Sequence, residues 1–159
     1  MLHLITTMFQ WLLDNAMVVV GLFFLIKRIL DARAPFPTVS YGRVSSVSTA
    51  SDFSNVIRQK VPPSDPSGPE PRLAVVDFYA KWCPPCRAAV PVYARLSDDY
   101  REHGVQFYKV DVDACSEISR GEGVQAMPTF KVYRGCVCVD TVKGFNEDAI
   151  RCALDKQLQ

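Results

Sequence analysis

Apolar and polar positions divide the chain into two unlike stretches. Residues 16–26 form an unbroken apolar run. Upstream, His3, Thr6, Thr7, Gln10 and Asp14 fall on one arc of a helical wheel, opposite Leu2, Ile5, Met8, Phe9, Leu12 and Leu13. This predicts an N-terminal helix, amphipathic at first and apolar afterwards. Farther on, short apolar runs alternate with segments of helical period. They predict strands at 43–47, 73–79 and 105–111, and a hairpin with strands 129–133 and 137–142 that turns at Arg134 and Gly135. Helices are predicted at 52–60 with Ser51 as N-cap, from Cys86 to about Arg101, near Ser116, and from an Asn146 cap to Leu158. Strands alternating with helices and ending in a hairpin give the α/β class, a central mixed sheet flanked by helices. Pro62, Pro63, Pro66, Pro69 and Pro71 make the stretch before the second strand an exposed loop. The expected organisation is an N-terminal helix over 1–33, a linker over 34–41 that contains Pro35 and Pro37, and one catalytic domain over 42–159.

The N-terminal segment is expected to anchor the protein to a membrane. Its eleven-residue apolar run is shorter than the about twenty residues a span needs, so the amphipathic flank would have to complete it. A tilted span with its polar arc toward a partner helix is favoured over an interfacial helix. Lys27, Arg28 and Arg33 lie C-terminal to the run, which would place the catalytic domain in the cytosol. A cleaved secretory signal fits less well: no basic residue precedes the run, and positive charge separates it from Ala32-Arg33-Ala34. Such an anchor resembles those of the mitochondrial outer membrane, with the endoplasmic reticulum as the alternative. The 18 basic and 17 acidic residues balance to +1, which argues against a nucleic-acid partner.

Cysteine spacing carries the chemistry. Of six cysteines (83, 86, 115, 136, 138 and 152), only Cys83 and Cys86 form a C-x-x-C, and no second half of a zinc site accompanies them. The pair follows a buried strand and opens a helix. A cysteine at a helix N-terminus has its thiolate stabilised by the positive end of the dipole, which marks Cys83 as the nucleophile. One turn on, Cys86 stands where it can resolve a mixed disulfide. Pro84 and Pro85 preset the first turn but bring no N–H to the sulfur. Trp82 has two readings that are compatible, a shield and substrate surface or simple packing. Cys115 reads as a regulatory thiol or a small buried hydrophobe. Cys136 and Cys138 share a strand face by period two, and a core placement is favoured over a redox pair. Cys152 and His103 receive no role.

Residues 76–87, reading V-D-F-Y-A-K-W-C-P-P-C-R, resemble the active-site segment of the thioredoxin family. Residues 108–113 with Cys115 resemble its third strand, and Met127-Pro128-Thr129-Phe130 resembles its cis-proline loop. Pro91 and Gly144 fall where the family places a helix-kinking proline and a late glycine. The likeness covers about residues 42–159. Pro84 stands where the family usually has Gly, and tryparedoxins share the run from Trp82 to Arg87. The resemblance implies the thioredoxin fold and protein-disulfide reduction without a bound cofactor or metal. Electrons would come from thioredoxin reductase or another external dithiol donor. Implied substrates include peroxiredoxins, methionine sulfoxide reductases and other client disulfides. It further implies that Asp77 is a buried carboxylate taking the proton of the resolving thiol, tuned by Lys109. Pro128 would pack on the disulfide, leaving the Met127 backbone to pair with an extended substrate. Trp82, Pro84 and Pro85 would complete the substrate surface. The alternative function is a membrane-tethered scaffold or chaperone-like binder whose redox activity is incidental.

Overall fold

The structure is a computed structural model that describes residues 10–11, 15–33, 36, 42–58 and 73–159. Its elements are α1 (Ala16–Arg33), β1 (Val44–Val47), α2 (Ala50–Ile57), β2 (Leu73–Tyr79), α3 (Pro84–Asp99), β3 (Gln106–Asp111), α4 (Ser116–Gly121), β4 (Thr129–Arg134), β5 (Val137–Lys143) and α5 (Glu147–Leu158). Contacts divide the chain into two compact units, residues 1–35 and 36–159.

In the larger unit the five strands form one sheet in the order β1-β3-β2-β4-β5. β1 and β2 run parallel to β3, and β4 runs antiparallel to both β2 and β5. All seven residues of central β2 are buried, as a strand covered on both faces should be. Its alternation feeds two cores. Leu73 and Val75 pack with Ala89, Tyr93 and Leu96 of α3 and with Ile150 and Leu154 of α5. Ala74, Val76 and Phe78 face the other way, toward Phe53 of α2 and Ile118 of α4. The result is a sheet between two helical layers. Tyr93 crosses the first core, and its hydroxyl lies 3.0 Å from the Val75 carbonyl oxygen and 2.9 Å from that of Tyr108, bracing α3 against β2 and β3. Gly42, at φ +49°, leads into β1 where a Cβ would stand 2.7 Å from the Ser97 hydroxyl oxygen and 2.8 Å from the Ala94 carbonyl oxygen.

Local signals place most elements. Asn146 caps α5 as expected, accepting from the Ala149 amide at 3.0 Å. The cap of α2 is Thr49 instead of Ser51: its hydroxyl accepts from the Asp52 amide at 3.0 Å, and the helix starts at Ala50. The β4–β5 turn occupies Gly135 and Cys136, with Arg134 already paired to Val137. Gly135 has φ +60°, which fits this tight turn. The preference for a core placement of Cys136 and Cys138 is corrected, because both are exposed. Cys136 sits in the turn, and the register shift between Val132 and Tyr133 puts a bulge into edge strand β5.

The expected membrane span is also corrected. Among the described residues no helix is long and apolar enough to cross a membrane. α1 has 18 residues, but Lys27, Arg28, Asp31 and Arg33 occupy its last two turns. Its uncharged part therefore rises only about 16 Å, against a hydrocarbon core of about 30 Å. The placement on the mitochondrial outer membrane or endoplasmic reticulum, and the membrane as a partner, fall with it. Of the polar arc, His3, Thr6, Thr7 and Asp14 lie outside the described residues, as does the proline-rich loop; Gln10 is helical and exposed.

Candidate functional site

β2 ends at Tyr79, and α3 begins at Pro84, so Ala80 to Cys83 make the sharp connection that presents the C-x-x-C. Cys83 is the N-cap of α3, with extended backbone, and its sulfur accepts from the Cys86 amide at 3.3 Å. Pro84 and Pro85 sit in the first turn without N–H groups, so the donor that reaches the sulfur comes from Cys86 itself. The two cysteines are joined in a disulfide with their Cα atoms 5.3 Å apart. Both are buried, at 3% and 0% exposure, in a cluster with Tyr79 and Ala80. A sulfur capped by an amide at a helix N-terminus favours its anionic form, the state in which it is nucleophilic or leaves.

Met127 packs against the cysteine cluster, and the Met127–Pro128 peptide bond is cis. The Met127 carbonyl oxygen lies 3.6 Å from the Cys83 sulfur, where the thiol of reduced Cys83 can donate to it. Neighbouring bonds fix this loop: the Thr129 hydroxyl donates to the Ala126 carbonyl at 2.7 Å, and the Gly144 amide donates to the Pro128 carbonyl at 2.8 Å. The last of these explains the late glycine, whose φ of +78° turns its amide toward the cis-proline.

Asp77 lies on the face of β2 shared by Leu73, Val75 and Tyr79. Val75 belongs to the core beneath α3, and Tyr79 packs with Cys83 and Cys86, so the carboxyl sits between that core and the disulfide. It is 6% exposed, and its Oδ1 has no hydrogen-bond partner. Burial pushes the Asp77 carboxyl from its ordinary 3.8 up to about 8, against the opposing pull of Lys109. Lys109 is its in-register neighbour on β3. Burial lowers the Lys109 ammonium, partly offset by the Asp77 charge. The structure therefore gathers Cys83, Cys86, Asp77, Lys109, Met127 and Pro128 at one end of the sheet.

Around them, Trp82 is 58% exposed, and its indole N–H donates to the Asp113 carboxylate at 2.9 Å. Pro84 and Pro85 are exposed beside it. Lys81 pairs with Asp111 at 3.2 Å, and Asp111 in turn accepts from the Asp113 amide at 3.1 Å, ordering the loop that meets Trp82. Sequence reasoning missed Asp113, Asp111 and Phe36. Asp113 had a signal, since it closes the block at 108–113; Phe36, between Pro35 and Pro37, had none. Cys115 is buried, and its thiol donates to the Ser48 carbonyl at 3.4 Å and the Val47 carbonyl at 3.7 Å, which ties α4 to the end of β1. Burial, and secondarily Asp111, push that thiol up, away from a reactive anion.

These features agree with known proteins. A family model described as Thioredoxin matches residues 46–156. Thioredoxin 1 of Plasmodium falciparum (isolate 3D7) is 36% identical over 113 residues, covering 71% of this chain and 96% of that protein. The crystal structure of thioredoxin NaTrxh from Nicotiana alata matches with a TM-score of 0.64 at 31% identity, covering 76% of this chain and 96% of that one. A chain from work on the thiol-resolving mechanism of yeast mitochondrial 1-Cys peroxiredoxin via glutathione/thioredoxin systems matches with a TM-score of 0.61 at 25% identity, covering 77% of this chain and 99% of that one. On the sequence match, the fold and the disulfide at the helix start together, the chain belongs to the thioredoxin family and is a thiol-disulfide oxidoreductase acting on protein disulfides.

Proposed function

We propose that reduction runs through Cys83 as nucleophile and Cys86 as resolving thiol, within a catalytic domain spanning residues 42–159 that follows a linker at 34–41. The Cys83 thiolate attacks a substrate disulfide, forming a mixed disulfide and releasing one substrate thiolate. Cys86 then gives its proton to Asp77 and attacks the Cys83 sulfur. The Cys83–Cys86 bond forms, and the second substrate thiolate leaves with the electron pair of the broken bond. A buried carboxyl whose Oδ1 has no hydrogen-bond partner, and whose pKa burial raises to about 8, suits that proton transfer, because it can take up a proton near neutral pH. Lys109 tunes it. Trp82, Pro84, Pro85 and the Met127–Pro128 loop form the surface on which an extended substrate segment lies. Electrons return through thioredoxin reductase or another external dithiol donor. Peroxiredoxins are one substrate class, supported by the yeast neighbour's context; methionine sulfoxide reductases are another, carried by family resemblance.

The amide-capped sulfur of Cys83 carries this reading. No observation favours the scaffold alternative. The test is NADPH-coupled insulin reduction by the full chain with thioredoxin reductase. Wild type turns over and Cys83→Ser does not; turnover surviving in Cys83→Ser would refute the assignment.

A further inference from the structure

Phe36 lies upstream of residues 46–156, the stretch matched by the family model, yet it reaches the dithiol loop. Its ring centroid is 5.1 Å from that of Tyr79, with the planes 36° apart. The Arg87 guanidinium carbon lies 5.9 Å from the centroid of the Phe36 ring. Phe36 also packs against the buried cluster of Tyr79, Ala80, Cys83 and Cys86. Tyr79 is the last residue of β2, and Arg87, which follows Cys86, lies in the first turns of α3. Arg87 is held from the other side as well, its Nε–H donating to the Lys81 carbonyl at 3.1 Å. One aromatic ring is thus wedged between the strand end and the helix start that carry the two cysteines.

We infer that Phe36 is a positioning residue for the resolving step, holding the first turn of α3, and Cys86 with it, against the end of β2 while Cys83 is bonded to substrate. The inference rests on the assignment of Cys86 as the resolving thiol. In the oxidised protein the disulfide itself fixes the cysteine pair. In the mixed disulfide that bond is gone, and the approach of the Cys86 sulfur to the Cys83 sulfur depends on the helix turn between them and on the packing that holds that turn in place. An intramolecular attack loses rate steeply when its geometry loosens. Aromatic stacking and cation–π contacts supply the hold, so the ring, and not merely an apolar group, matters. Attack by Cys83 on a fresh disulfide is bimolecular and uses Cys86 only through its backbone amide, whereas resolution needs the Cys86 sulfur itself aligned with the Cys83 sulfur.

The experiment uses the full chain in a Cys136→Ser, Cys138→Ser, Cys152→Ser background, reduced and mixed with dithiobis(nitrobenzoate) in a stopped-flow instrument. The first nitrothiobenzoate released reports attack by Cys83, and the second reports resolution by Cys86. Phe36→Ala leaves the first phase within about twofold and slows the second about fivefold, Phe36→Leu falls between, and Phe36→Tyr restores it. Equal slowing of both phases, or an unchanged second phase, overturns the inference. Cys86→Ser serves as the control: a second phase that survives in it overturns the resolving-thiol assignment itself, a failure distinct from that of Phe36.

Discussion

Two pairs of cysteines stand close together in this chain, and the fold gives them opposite surroundings. Cys83 and Cys86, three residues apart, are buried where β2 hands over to α3. Cys136 and Cys138, two residues apart, are exposed at the β4–β5 turn. The nearest polar partner of the Cys83 sulfur is an amide hydrogen at a helix N-terminus, whereas the Cys138 sulfur meets the Asp140 carbonyl oxygen at 3.4 Å and the Thr141 hydroxyl at 3.5 Å. An amide donor at a helix N-terminus favours a thiolate. Exposure alone therefore does not make the reactive pair. In the proposed mechanism the helix start does, together with a buried carboxyl on the strand beneath it.

The largest effect that sharpens this contrast comes from Cys86→Ser, which stops the cycle after the first transfer. Turnover should fall by about a thousandfold or more, with a stable mixed disulfide through Cys83 visible by intact-mass measurement. If Asp77 takes the Cys86 proton as proposed, Asp77→Asn removes that acceptor and leaves Cys83 in place. The resolving rate should fall about ten- to a hundredfold, and its rise with pH through about 8, where the buried carboxyl ionises, should disappear.

The same substitution has an opposite effect on stability. Because the folded state holds the Asp77 proton up to about 8 while the unfolded chain loses it near 3.8, this group's contribution is fully present below about pH 4 and declines as pH rises to about 8. Asp77→Asn should therefore be the more stable protein at pH 8, by on the order of several kcal/mol, and should show no such gain at pH 4. Urea unfolding at the two pH values checks it; a gain that does not depend on pH would contradict the burial account.

A smaller effect is expected at the rim. Asp113→Ala frees the Trp82 indole and should raise KM for a protein disulfide about threefold while leaving kcat nearly unchanged, since it alters the docking surface and not the sulfurs. The smallest belongs to the second pair: Cys136→Ser with Cys138→Ser should change insulin reduction by less than about twofold.

How much of this was legible in the sequence follows the range of the interactions. The extent of β2, the Asn146 cap and the mixed α/β class rest on local pattern, and they appear as expected. The cis peptide at Pro128 and the burial of Asp77 were also readable, the first through a short motif and the second through the apolar residues on either side. The turn at Gly135 and Cys136 was displaced by one residue, and that shift with a bulge is enough to defeat a period-two argument for the cysteines. Thr49 displaced Ser51 as a cap because two hydroxyl residues on either side of Ala50 compete for one helix start, and only backbone geometry chooses between them. The Trp82–Asp113 bond and the Phe36 wedge join residues far apart in the chain, which no local pattern encodes. The span failed on a length argument that was already present in residues 16–26 and the charges after them.

The most direct test of the contrast is competitive alkylation of the fully reduced protein with limiting iodoacetamide at about pH 6.5, read residue by residue by mass spectrometry. Cys83 should be modified first despite its 3% exposure, ahead of the openly exposed Cys136, Cys138 and Cys152. If Cys136 or Cys138 leads and Cys83 lags, the helix start does not confer the reactivity assigned to it.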